Sequence, residues 1–108
     1  MKLTDLQDLL LEITPNVHHY FAEDQTGNYI VWAEEGESSS LYADDEKIIQ
    51  VIQGTIDYFT TTEFDPVVQQ IQDNLNSAEI AWRLNSAQYE RDTGYTHYEW
   101  IWEIVCYG

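Results

Sequence analysis

Residues 83–108 read RLNSAQYERDTGYTHYEWIWEIVCYG, and they decide how the rest of the chain is to be folded. Tyr98, Trp100, Trp102 and Ile104 recur at every second position, with His97, Glu99, Ile101 and Glu103 between them. A period of two belongs to a strand with one buried face and one wetter face. Upstream, Ile80, Trp82 and Leu84 alternate with Arg83 and Asn85 in the same way. Between the two runs, ERDTGY at residues 90–95 places Asp92 and Gly94 where a tight turn needs a positive φ. The stretch is therefore an aromatic hairpin, and its apolar face requires a cover.

Working outward, two segments can supply that cover. TDLQDLLLEI near the start places Leu6, Leu9, Leu10 and Ile13 at helical spacing. Thr4 and Gln7 have capping-box spacing and Pro15 stops the segment, predicting a helix over residues 5–13. In TTEFDPVVQQIQDNL, Asp65 suits an N-cap and Pro66 the first helical position, where no N–H is needed. Val67, Ile71 and Leu75 then mark one face of a second short helix.

The remaining segments read as strands and loops. IIQVIQGTIDYFT (residues 48–60) is long, β-branched and alternating, as expected of a central strand. Gly54 within it predicts a bulge or a close approach of backbone. VHHYF (residues 17–21) and YIVWAE (residues 29–34), joined by the turn-like EDQTGN, predict another hairpin. EEGESSS (residues 34–40) predicts an acidic, flexible loop, followed by the weakly patterned LYADDEK. The order α-β-β-β-α-β-β, with mostly hairpin connections, gives an α+β fold: an antiparallel sheet of about five strands, with two short helices packed on one face. Residues 1–108 suit a single domain, a length that allows one modest core.

Composition narrows the function. Hydrophobic residues at 44% and aromatics at 14% suffice for that core, which argues against disorder. Twenty acids face four bases (Lys2, Lys47, Arg83 and Arg91), for a formal net charge of −16. Such a surface repels phosphate backbones and anionic membranes, so direct nucleic-acid binding and membrane association are not expected. Cys106 is the only cysteine and fits a reducing compartment. The opening MKLTDLQDLLLEI carries acids inside its apolar run and has no small-residue cleavage site, so a secretory signal is not expected.

Motifs for catalysis are weak. His18 and His19 are adjacent and would point to opposite faces of a strand, and His97 is distant in sequence. No Cys or His pair has finger-like spacing, so no metal is expected. ADDE (residues 43–46) lacks the spaced ligands and glycine of a calcium loop. Cys106 has no nearby base to activate it, and no Gly-rich phosphate loop or nucleophile elbow occurs. The expectation is a non-enzyme without cofactor. Its four tryptophans serve mainly as core, with some of its eight tyrosines at subunit contacts.

TTEFDPVVQQIQDNLN, followed by AWRLNSAQYERDTGYTHYEWIWEI, resembles small head–tail joining proteins of tailed phages and prophages. The group is similar to the tail-terminator, or tail-completion, family. The likeness extends to the N-terminal helix and to the long strand ending in IDYFT. It implies a structural subunit of a ring, often hexameric, at the head–tail junction or the end of the tail tube. It further implies tail-tube or head-completion proteins as partners, no cofactor, and a life in the bacterial cytoplasm and then in the virion. Many terminator relatives are longer, which leaves a neighbouring minor head–tail protein as the other member of the group. A channel for duplex DNA must not bind it, and an acidic surface meets that need. Glu34, Glu35 and Glu37, with Asp44, Asp45 and Glu46, are the expected exposed acidic edge. The same charge allows an alternative, a DNA mimic that inhibits a host DNA-binding protein, although the acids are scattered rather than arrayed on long helices. A sugar- or peptide-binding module, resting only on aromatic content and an edge strand, is a third reading.

Overall fold

In the computed structural model, which describes residues 1–43 and 46–107, the aromatic strand lies near the middle of a five-stranded sheet. The elements in chain order are α1 (Leu3–Leu11), β1 (Val17–His19), β2 (Tyr29–Ala43), β3 (Glu46–Thr60), α2 (Pro66–Ser77), β4 (Ala81–Tyr89) and β5 (Thr96–Tyr107). Strand order is β1-β2-β3-β5-β4, so the segment read as a central strand, β3, is central. The fold is α+β, with a mostly antiparallel sheet.

The alternation of β5 becomes one wall of the core. Trp100, Trp102 and Ile104 are buried, opposite Ile56, Gly54 and Ile52 of β3. The glycine is required there. A Cβ on Gly54 would stand 2.0 Å from the Ala33 carbonyl oxygen and 2.6 Å from the Trp102 ring. Gly54 lets the indole lie against the backbone, and β2 bulges between Glu34 and Gly36 just opposite.

Both helices cover this face. Leu6, Leu9 and Leu10 of α1 and Ile71 and Leu75 of α2 pack with Ile30, Trp32, Ile56, Tyr58, Trp100 and Trp102 in one core. Each large side chain fully withdrawn from water contributes about 1.5–3 kcal/mol. α1 begins earlier than its sequence pattern suggested. Lys2 is the N-cap and the Asp5 carboxylate accepts the Lys2 N–H at 2.9 Å, so the helix is nucleated by Asp5 rather than by Thr4 and Gln7. α2 starts as read: Asp65 caps it, accepting the Val67 N–H at 2.9 Å, and Pro66 follows. It ends in a Schellman turn, with Glu79 N–H on the Asn76 carbonyl and Ile80 N–H on the Leu75 carbonyl, both at 3.0 Å.

Two expectations need correction. β1 and β2 do not form a hairpin; they pair in parallel, with Val17 opposite Ile30 and His19 opposite Trp32. Alternation is identical in parallel and antiparallel strands, so the pattern alone could not distinguish them. Because β1 is so short, the chain returns through residues 20–28 without a helix, an unusually brief parallel crossover. Tyr20, at φ 68°, starts the return, and its N–H donates to the Trp32 carbonyl at 2.8 Å. The second correction concerns residues 34–40, which belong to strand β2 rather than to a flexible loop. Pairing with the β-branched run of β3 overrides their weak strand propensity. Register shifts at Glu34/Gly36, Glu37/Ser39 and Leu41/Tyr42 accommodate them. Among the described residues, β1 flanks β2 only from Ile30 to Trp32, and bulges are a usual protection for such an edge. No helix of the described residues is long and apolar enough to cross a membrane.

Candidate functional site

The helices cover one face of the sheet, and the other carries a different chemistry. Register places Tyr29 opposite Phe59, Val31 opposite Asp57, and Asp57 and Phe59 opposite Glu99 and His97, all on this second face. Tyr29 stacks on Phe59 at 4.8 Å between centroids, and Phe59 stacks on His97 at 4.3 Å. Tyr95 meets Tyr29 edge-on at 5.8 Å. Its hydroxyl donates to the carbonyls of Gln25 and Gly27, at 2.8 and 2.7 Å. That contact pins the crossover, residues 20–28, to the turn between β4 and β5. The crossover and the sheet enclose a shallow groove of about 210 Å3 lined by Tyr20, Phe21, Tyr29, Val31, Asp57 and Phe59.

Electrostatics in this groove are unbalanced. His97 Nε2 lies 2.7 Å from Asp57 Oδ1, and the Asp57 side chain is only 19% exposed. Burial pushes the Asp57 carboxyl above the usual aspartate range and Glu99 adds to the rise, while His97 partly opposes it. Glu99 is held in turn: its carboxylate accepts from Asn85 Nδ2 at 2.7 Å, and Asn85 Oδ1 accepts from Arg83 at 2.9 Å. A bulge between Leu84 and Ser86 aims Asn85 at this contact. Two carboxylates thus face each other across neighbouring strands, with the His97 imidazole touching Asp57, and like charges directly opposite one another weaken a strand pair.

A second cluster guards the start of the crossover. His19 is sandwiched between Trp32 at 4.0 Å and Tyr20 at 4.2 Å. His19 Nε2 lies 2.7 Å from one oxygen of Glu34, and the Tyr20 hydroxyl donates to the other. Burial pushes the Glu34 carboxyl up, but the hydrogen bonds from Tyr20 and His19 outweigh it and hold the group below its ordinary value. The same contact raises the Tyr20 phenol.

The expected acidic edge is accordingly divided. Glu34 is half-buried and engaged in the clamp, whereas Glu35 and Glu37 of β2 are exposed, Glu37 accepting from Gln50 Nε2 at 2.6 Å. Asp44, Asp45 and the side chain of Glu46 lie outside the described residues. His18 is on the open face, edge-on to Tyr29 at 6.4 Å, and His97 pairs with Asp57 rather than with either other histidine. Among the described residues, no group of three or more His, Cys, Asp and Glu is placed to hold a metal ion. Sequence reasoning missed Asp57, Phe59 and Glu99 as a unit. The available signal was an acid two residues from an aromatic ring in each of two strands, Asp57 before Phe59 and Glu99 after His97. No family model matches this chain, and no curated protein matches it significantly.

Proposed function

We propose that the chain is a structural subunit of a protein assembly, of the kind its sequence resembles at phage head–tail junctions and tail-tube ends. The observation that carries this reading is the contrast between the sheet's faces. One is sealed by two helices; the other leaves Tyr20 and Phe21 at 59% and 67% exposure beside an aromatic groove. Exposed aromatic surface of this kind marks contact surfaces in proteins. The body is also elongated, 53 × 24 × 23 Å, a shape that offers long flanks for lateral contact. In a ring, the exposed acids of β2 would face the DNA channel and keep the duplex mobile. The two helices, of 9 and 12 residues, are too short to array carboxylates along a surface as phosphates are arrayed, which weighs against the DNA-mimic reading.

Sedimentation velocity across protein concentration and ionic strength tests this. At a net charge of −16, copies repel one another, so salt should promote a discrete oligomer. Screening shortens the reach of that repulsion from about 8 Å at physiological salt to about 3 Å at 1 M. A strict monomer under all conditions, with no co-assembly onto a tail-tube protein, would overturn the proposal.

A further inference from the structure

We infer that the open-face groove binds the guanidinium group of an arginine presented by a basic segment of a partner protein, with Asp57 as its anion and Tyr20, Phe21, Tyr29 and Phe59 as its aromatic walls. This deepens the assembly reading, because it specifies the chemistry of a neighbour that the subunit would dock.

Three observations converge on that ligand. Half of the residues that line the groove are aromatic, and two of these rings, Tyr20 and Phe21, are well exposed. A cation over an aromatic face is stabilised by the ring quadrupole. Next, Asp57 lines the groove and faces Glu99 across the strand pair, so the site carries more negative charge than His97 can neutralise. A bound cation relieves a repulsion that the sheet otherwise sustains. Finally, the whole chain has twenty acids and four bases, so a second copy would add repulsion while a basic segment is complementary. Arginine fits better than lysine because its planar guanidinium stacks on rings and forks onto carboxylate oxygens.

The test is an NMR titration of the full chain with N-acetylarginine amide, run beside N-acetyllysine amide and the neutral isostere N-acetylcitrulline amide. The arginine probe should move the signals of Phe21, Phe59 and His97 on one saturating curve that weakens with salt. The lysine probe should bind several-fold more weakly, and the citrulline probe should leave these signals in place. Asp57→Asn should weaken arginine binding by about tenfold or more. Phe59→Leu should also weaken it, and decides the matter if Asp57→Asn loses the dispersed spectrum of a folded chain. Equal shifts with citrulline, undiminished binding in the folded variants, or shifts scattered over the acidic surface would each overturn the inference. The monomer suffices for this titration, so its failure is distinct from a failure to assemble in the sedimentation experiment.

Discussion

The two faces of this sheet share the same strands and the same alternation, yet they are built to different ends. On the covered face, Ile56, Trp100, Trp102 and Ile104 meet helices that leave them no water. On the open face, the intervening residues Asp57, Phe59, His97 and Glu99 combine rings with opposed carboxylates under a thin crossover. Neighbouring residues of a single strand thus serve separate tasks. The covered face supplies stability, and the open face retains a local conflict between Asp57 and Glu99, the one that the proposed arginine would relieve.

Truncation should expose this contrast most strongly. Trp102→Ala removes a fully buried indole and should cost about 3–5 kcal/mol by urea unfolding. Phe59→Ala, on the open face and only half-buried, should cost about 2 kcal/mol. Equal losses would erase the distinction between the faces.

The next comparison is between two aspartates. Asp65 caps α2, and its second oxygen accepts from the Tyr58 and Thr60 hydroxyls, each at 2.6 Å. Asp65→Ala should destabilise by about 2 kcal/mol, from the lost cap and two hydroxyls left without their acceptor. The pH responses should run in opposite senses. Burial pushes Asp65 up, but the hydrogen bonds from Thr60, Tyr58 and the Val67 N–H prevail and hold its carboxyl below the ordinary value. Its contribution is therefore present above about pH 3.9, the usual aspartate value, and is lost as pH falls through the lower folded value. Asp57 is raised by burial, so its contribution is present below about pH 3.9 and is lost as pH rises through the higher folded value. Unfolding free energies of Asp65→Asn and Asp57→Asn, followed from roughly pH 3 to 7, should diverge from the parent chain in opposite directions. Parallel curves would contradict the assignment.

These contrasts also show what the chain discloses before it folds. The aromatic hairpin and the Asp65–Pro66 helix start were legible because each rests on residues near in sequence. A close approach was legible at Gly54 because a glycine inside a β-branched run has few other uses, although its partners Ala33 and Trp102 are distant in sequence. The parallel pairing of β1 was not, since period-two patterning does not encode strand direction. Nor was the strand character of residues 34–40, whose glutamates and serines have little β-propensity and are ordered by β3. The groove was the least legible. Asp57 and Glu99 become opponents only once β3 and β5 are neighbours, and the wall of Tyr20 and Phe21 exists only because the crossover folds back. One of the three described glutamates of the expected acidic edge was placed differently for a similar reason: Glu34 found His19 and Tyr20 across a strand pair that the sequence could not specify.

A smaller effect is expected at the helix end on the covered side. Glu79 adopts φ 57° after α2, the left-handed conformation that glycine accepts without strain. Glu79→Gly should raise stability by about 0.5–1 kcal/mol, and leave the open face unaltered in an amide NMR spectrum. A loss of stability would show that the Glu79 side chain contributes more than its backbone strain costs.

The division of labour is tested most directly by the unfolding free energy of Asp57→Asn at neutral pH. If Asp57 serves recognition and the fold tolerates it as a conflict, the amide removes the repulsion with Glu99, still accepts from His97, and leaves the protein as stable as the parent or more so. A loss greater than about 1 kcal/mol, the worth of an ordinary net hydrogen bond, would instead place Asp57 among the residues that hold the sheet together.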